Sequence, residues 1–404
     1  MQRKPGCRIL YLTKVLPYPP AVAGDSVYGR GLIEALASVA EVTVICANSG
    51  ADHGSGKAEV DWRIVGAVRS GRAKSVFSRW PLIAWKGATP DYVAELDALL
   101  QLEGWDAIVL ADLGLAHALP RAVAYRLSHP EVKLVYVSHE WEYSSRSGKY
   151  RSYRVNPLVR LMTQLDVMKV KRWEDSLIRR CDIVTVIATP DLVPFRMIDP
   201  SRKYLLLTPG YDGPVTSSRQ ITDVTPRRVL MLGGRRGEHK QQVLVDWLAA
   251  AYARLLAAGI GLAIAGDIDD ELRQRVLREY PGTRVLGYVE DLDSVVAEAR
   301  VGLIADTVGG GFKLRLLTQV FHRLPIVGLA AAVNGLPTPA GDGYLAAPSL
   351  DELVTLICEV VDDLELLNAV QNRAYNDCAR AFSWDERARA LTAAIYDRTG
   401  GALV

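Results

Sequence analysis

Several places in the chain combine glycine with cations or imidazole in a way that suits the chemistry of anions. Gly309, Gly310 and Gly311 run consecutively and lead through Phe312 and Lys313 into a helical pattern with Leu314, Leu317, Val320 and Phe321 on one face. Glycine lets a backbone come within contact distance of a ligand, and the free N–H groups of a helix start favour an anion. Lys313 in the first helical turn opposes the helix dipole, a conflict that a bound phosphate removes. The competing reading is a flexible loop with a lysine reaching for solvent. A second loop, Gly233-Gly234-Arg235-Arg236-Gly237-Glu238-His239-Lys240, brings glycines and three cations to one strand end, which suits a diphosphate. His139 follows the apolar run Leu134–Val137, where an imidazole can bind a ligand or donate a proton, or can serve as a hydrogen-bonded structural group. Gly24 and Asp25 sit in the loop after the first apolar run. For Asp25 helix capping is favoured over chemistry.

The elements that must position these residues read as alternating strands and helices. Arg8–Leu12, a helix bearing Leu32, Ile33, Leu36 and Val39 with Ser26 as N-cap, and Val42–Cys46 form an opening βαβ unit. Further strand-like runs are Ala107–Leu110, Leu134–Val137, Ile183–Ile187 and Tyr204–Leu207. A second series follows at Arg228–Leu232, Leu262–Ala265, Arg284–Leu286, Val301–Ala305 and Pro325–Leu329. Short apolar runs of this kind fill parallel strands buried on both faces. The polar stretch Val215–Pro226 lacks a hydrophobic period and reads as the linker between two α/β domains. The expected division is 1–212, 213–380 and a closing helix 381–404 that packs back toward the first domain.

Composition narrows the class. The 404 residues are 49% hydrophobic and 23% charged, enough for two or three packed domains and too apolar for a disordered chain. Five dispersed cysteines without CxxC spacing point to buried thiols in a reducing compartment and support neither zinc nor a disulfide framework. The basic head leads into an apolar run broken by Lys14, so the expectation is a first strand in a cytoplasmic protein and no signal peptide. Asp267-Ile268-Asp269-Asp270 and Asp291-Leu292-Asp293 superficially resemble a metal-binding DxD, but both precede helical patterns and are read as caps. No metal site is expected.

Between Arg146 and Arg180, ten lysines and arginines stand against three acids, Asp166, Glu174 and Asp175. Asn156-Pro157 is a good helix start, and Leu158, Leu161, Met162, Leu165 and Met168 then recur at helical spacing. Such a helix can lie on an anionic membrane or bind an anionic acceptor, or can be the solvated face of a packed helix. No aromatic interleaving favours nucleic acid.

Taken in order, these residues resemble the large retaining GT-B glycosyltransferase family, glycosyl transferases group 1, that builds bacterial polysaccharides and glycoconjugates. The resemblance rests on Tyr18-Pro19-Pro20 with Gly24, Ser138-His139, Pro209-Gly210-Tyr211-Asp212, and Gly234-Arg235 with Lys240. It continues through Gly266-Asp267, Gly287-Tyr288-Val289, Gly309–Leu317 with Leu324-Pro325-Ile326-Val327, and Phe382-Ser383-Trp384. It implies two Rossmann-like domains facing a cleft, and transfer of a sugar from a UDP- or GDP-type donor with retention, no metal and no other cofactor. The acceptor would be a glycan, a lipid-linked molecule or a small molecule, and the protein would lie in the cytoplasm or peripherally on the inner face of the cell membrane. It further implies that Arg235 and Lys240 neutralise the diphosphate together with the N–H groups of Gly311 and Phe312. His139 would contact the donor sugar, Gly24 would let its loop approach phosphate and acceptor, and Tyr288 and Val289 would lie near the base. The family's two glutamates, eight positions apart, fall on Gly310 and Thr318, neither a carboxylate. Thr318 can still hydrogen-bond a ribose hydroxyl and the backbone at Gly310 can hold the sugar. The missing acids leave open a non-catalytic GT-B binding or scaffold protein, or a nucleotide-sugar epimerase.

Overall fold

A computed structural model describes residues 7–19, 23–50, 59–102, 104–153, 155–307 and 311–397. Gly309, Gly310, Pro20, Arg154 and most of the polar loop after Asn48 lie outside the described residues. The chain divides into two compact units, one of 1–210 with 310–312 and 383–404, the other of 211–309 with 313–382.

In the first unit the described strands are β1 (Arg8–Val15), β2 (Glu41–Asn48), β3 (Val60–Ala67), β4 (Ala107–Ala111), β5 (Lys133–Val137), β6 (Ile183–Val186) and β7 (Lys203–Leu206). They pair in the order β3-β2-β1-β4-β5-β6-β7, every neighbour parallel. The order reverses direction between β1 and β4, so their carboxyl ends flank the crevice where open α/β sheets bind ligands. β4 is buried throughout, as its unbroken AIVLA run requires of a strand covered on both faces.

The second unit repeats the plan with β8 (Arg228–Leu232), β9 (Gly261–Ala265), β10 (Arg284–Gly287), β11 (Val301–Ile304), β12 (Ile326–Leu329) and β13 (Leu345–Ala347). Their order is β10-β9-β8-β11-β12-β13, again all parallel, with the reversal between β8 and β11. The fold is therefore α/β with two Rossmann-like parallel sheets. The stretch 215–226, expected as a linker, belongs to this unit. Arg219 anchors it by donating to the carbonyls of Arg323 (2.9 Å), Val296 (2.9 Å) and Ala299 (2.5 Å).

Several helix ends follow their sequence signals. Asn156 accepts from the Val159 N–H at 2.9 Å ahead of Pro157, and Asp269 and Asp291 accept from Leu272 and Ser294 at 2.9 and 3.2 Å. Ser26 does not cap, because the first helix already begins at Gly24 with Ala23 before it.

The final helix, Trp384–Tyr396, belongs to the first unit and packs on the helix Gly24–Ala37. Trp384 presses on Gly31 and Gly210, and a methyl group at either would overlap the indole. Gly31→Ala should therefore destabilise the protein by about 1–3 kcal/mol through overpacking. Chemical unfolding measures it, and an unchanged midpoint would refute this account of the contact.

Candidate functional site

At the crevice of the first sheet stand three charged groups. Lys14, near the end of β1, places Nζ 2.7 Å from Oδ2 of Asp25 and 2.9 Å from Oδ2 of Asp112. Asp112 directly follows β4, is buried, and has φ 69, a conformation that a non-glycine residue holds only when its surroundings fix it. Its Oδ1 accepts from the Gly114 N–H. Asp25 is in the first turn of its helix, where Oδ1 accepts from the Ser26 N–H at 2.9 Å. Burial raises the Asp25 carboxyl, but Lys14 and then His139 outweigh it and hold the group well below the usual carboxylate range. Burial likewise works against the Lys14 charge, and the two carboxylates more than restore it.

His139 lies at the end of β5, its ring edge-on to Tyr28 with centroids 5.0 Å apart, and its Nε2 is buried without a hydrogen-bond partner. The turn carrying it is fixed from both sides. Ser138 Oγ donates to the Glu140 carbonyl at 2.9 Å. The N–H groups of Glu142 and Tyr143, which open the helix Glu142–Ser152, donate to the fully buried carboxylate of Glu174 at 2.8 and 2.9 Å. Burial pushes Glu174 up to about 8 despite those two donors. The segment 310–312 groups with this unit. Gly311 has φ 70, and a Cβ on it would lie 2.8 Å from the His139 carbonyl oxygen, so only glycine fits. His139 and Gly311 thus meet, and Phe312 beside them is buried.

The crevice of the second sheet holds guanidinium groups. Gly266 after β9 (φ 141) packs so closely on Gly233 after β8 that any Cβ would overlap the Gly233 carbonyl carbon. This approach lets the Arg235 N–H donate to the Asp267 carbonyl at 2.6 Å. The Arg235 side chain turns inward, 1% exposed, with Nη2 donating to the Leu232 carbonyl at 3.0 Å and Nε unpartnered. Arg315, in the first turn of the helix Arg315–Phe321, pairs with Asp306 beyond β11, and its Nε is also buried and unpartnered. Burial lowers Arg235 to about 10. Burial and the repulsion of Arg235 lower Arg315 to about 9.

The sequence pattern puts the cation of this helix start at Lys313, but the helix begins two residues later and Arg315 occupies its first turn. Lys313 precedes the helix. Gly234 directly precedes Arg235, and Lys240 lies exposed in the first turn of the helix Glu238–Ala257. Thr318 lies inside the helix Arg315–Phe321, half-buried. Tyr288 is 80% exposed, whereas Val289 packs on the small core of this unit. Lys14, Asp112 and Arg315 are charged crevice residues that the sequence pattern alone does not single out. A charge next to an apolar strand end is the available signal for Lys14 and Asp112. Asp267 pairs with Arg236 at 2.5 Å while Asp269 and Asp291 cap helices, and among the described residues no cluster of His, Cys, Asp and Glu could hold a metal ion.

The 146–180 segment is less unbalanced than its count suggests, because Arg146 pairs with Glu142, Lys149 with Glu140 and Lys171 with Asp175. Lys169 donates to the carbonyls of Ser75 and Val76. The helix Pro157–Arg180 packs through Val170, Glu174, Leu177 and Ile178 in its C-terminal half. Leu158, Leu161, Leu165 and Met168 are exposed. No helix among the described residues is long and apolar enough to cross a membrane.

Two parallel sheets, each with charged groups at the reversal of strand order, are the plan of the GT-B fold. Solved structures share the fold over nearly the whole chain. Sucrose-phosphate synthase from Thermosynechococcus elongatus is similar at 16% identity and a TM-score of 0.70, covering 96% of this chain and 98% of that one. HepE of Anabaena in complex with UDP-glucose is similar at 13% identity and a TM-score of 0.62, with 96% and 98% covered. WaaG, a glycosyltransferase involved in lipopolysaccharide biosynthesis, is similar at 14% identity and a TM-score of 0.62, with 95% and 99% covered. No curated protein matches in sequence. Residues 226–363 match the family Glycosyl transferases group 1.

Proposed function

We propose that the chain moves a sugar from a nucleoside-diphosphate sugar, of UDP or GDP type, to a glycan, lipid-linked or small-molecule acceptor, with retention of configuration and without a metal ion. The observation that carries this reading is the convergence of Arg235 and Arg315 at the second sheet's crevice, each with a buried, unpartnered Nε–H. As the bond from the anomeric carbon to the diphosphate oxygen breaks, negative charge grows on the leaving group. The acceptor hydroxyl oxygen forms the new bond, and its proton passes to the departing diphosphate oxygen. Buried guanidinium groups stabilise that charge without reorganising, and preorganised electrostatics of this kind commonly supplies most of an enzyme's rate enhancement. Lys240, Lys313 and the N–H groups of Gly311 and Phe312 add to the same anion site. His139 contacts the donor sugar, Gly24 and Asp25 border the acceptor, Gly234 gives the backbone access to the phosphates, and Tyr288 and Val289 lie near the base. The backbone at Gly310 and the hydroxyl of Thr318 take the places of carboxylates. That HepE was solved with UDP-glucose is in keeping with such a donor.

The exposed apolar stripe of the helix Pro157–Arg180, with Phe77 94% exposed on a segment tied to it by Lys169, suits peripheral attachment to the inner face of an anionic membrane. A second reading, a nucleotide-binding scaffold or an epimerase, draws on the absence of both carboxylates at positions 310 and 318.

A thermal-shift screen against UDP, GDP, ADP, CDP and dTDP and their sugars tests the donor site. One base should stabilise selectively, by about 2.7 kcal/mol at a hundredfold excess over Kd. No shift from any nucleotide would transfer the case to the scaffold, and an epimer formed without acceptor would transfer it to the epimerase.

A further inference from the structure

The helices Glu142–Ser152 and Pro157–Arg180 form a hairpin joined by four residues. Neighbouring helices so closely connected normally close an apolar seam between them. Part of this seam stays open. From the first helix Tyr143, Ser147, Tyr150 and Arg151 line it, spaced at i, i+4, i+7 and i+8 so that they share one face. From the second, Arg160, Thr163, Gln164 and Met168 line it on a face of the same kind. The groove between them has a volume of about 470 Å³, within the range of ligand sites.

Among the described residues, its two guanidinium groups are not held in ion pairs. The nearby acids are already engaged, Glu142 by Arg146 at 2.7 Å and Glu140 by Lys149 at 3.1 Å. Asp166 accepts from the Tyr150 hydroxyl at 3.0 Å and the Leu82 N–H at 2.6 Å. Glu174 is taken by two backbone donors. Arg151 and Arg160 have no acidic partner among the described residues. Two guanidinium groups beside two tyrosines and the polar side chains of Ser147, Thr163 and Gln164 suit a phosphate and the hydroxyls around it. The groove is continuous with apolar surface, since Met168 belongs both to its wall and to the exposed stripe of Leu158, Leu161 and Leu165. A ligand seated there meets cations at one end and aliphatic side chains at the other.

We infer that this groove binds the phosphate-bearing head of an amphiphilic acceptor, with its hydrocarbon chain along the exposed leucines. The inference rests on the glycosyl-transfer reading for the word acceptor and names the class of that acceptor, a lipid phosphate. The groove lies on the helix that begins directly after the His139 turn, so the site is continuous in sequence with a group expected at the donor sugar.

The test uses the full chain and dodecyl phosphate as a monomeric probe, with titration calorimetry as readout. The wild type should bind it at least tenfold more tightly than inorganic phosphate. The double variant R151E/R160E should lose about tenfold or more, as expected for charge-assisted hydrogen bonds. Thr163→Trp, which fills the groove without changing charge, should abolish dodecyl phosphate binding while sedimentation with vesicles of anionic lipid persists. Both variants should keep the wild-type thermal shift with nucleotide, which separates failure here from failure of the donor site. Equal affinity for inorganic and dodecyl phosphate would make this a free-anion site and overturn the proposal. Unchanged binding in R151E/R160E, or in Thr163→Trp, would overturn the groove itself.

Discussion

Arg235→Met should leave the ligand-free protein as stable as the wild type, or up to about 1 kcal/mol more stable, while removing its response to nucleotide. Most substitutions of a fully buried residue do the opposite. The reason lies in what surrounds the guanidinium. It is 1% exposed, makes one hydrogen bond, to the Leu232 carbonyl, and faces a second guanidinium on Arg315. Burying a charge without a counter-charge costs several kcal/mol, and replacing such a group by an apolar side chain of similar length is often neutral or stabilising. Methionine fills the same channel and removes the repulsion on Arg315. Binding should respond in the other direction. A doubly charged diphosphate would satisfy both unpartnered Nε–H groups, so removing one of them should weaken nucleotide binding about a hundredfold and lower turnover about 10²–10³-fold. Arg235→Lys should recover little, because a lysine lacks the planar fork that addresses two oxygens at once. Thermal unfolding with and without nucleotide reads both effects. A variant more than about 1 kcal/mol less stable than the wild type without ligand would show that Arg235 is a structural cation, and the assignment of an anion site would fall with it.

The readability of these groups in the sequence follows from how each kind of structure is encoded. The parallel strands stand out because a strand covered on both faces needs a continuous apolar run, as in β4 and β11. Asn156-Pro157, Asp269 and Asp291 are legible because a cap needs a particular side chain at a fixed offset from the first turn. The crevice residues carry no such periodic signal. Lys14 reads as an interruption of an apolar run, although β1 continues past it to Val15 and the interruption is the cation of the charged cluster at the crevice. Asp112 gives no sign in sequence that its φ is 69. Arg315 is hidden when the helix start is set at Lys313, because a shift of two residues moves a side chain more than half a turn around a helix. The stripe from Leu158 to Met168 has the right period for a helix, but period alone does not tell a buried face from an exposed one. The packing face is set further along, at Val170, Glu174, Leu177 and Ile178.

Lys14→Met should destabilise the protein by about 3–5 kcal/mol at neutral pH and give the loss a characteristic pH dependence. Breaking a buried ion pair by removing one partner leaves the other charge uncompensated, and here one lysine serves two carboxylates. Asp112, with 5% of its side chain exposed, contributes most of the effect. Asp25, with 34% exposed, is partly screened by water and contributes less. In the wild type Asp25 titrates below its unfolded value, so its share of stability is present above about pH 4 and is lost only as the pH falls toward the lower folded value. Lys14 titrates above its unfolded value, so its share is present below about pH 10 and is lost only as the pH rises beyond that. Between these limits the cluster adds no slope. Without the lysine, two neighbouring carboxylates compete for a proton and the folded state binds protons more readily than the unfolded chain. Stability of the variant, relative to the wild type, must then rise as the pH is lowered from 8 to 5. Urea unfolding of both proteins at those two pH values measures the difference. A deficit that stays constant across the range would mean that Lys14 acts through its hydrocarbon stem and packing, and that the charges at the first crevice are not coupled as the geometry requires.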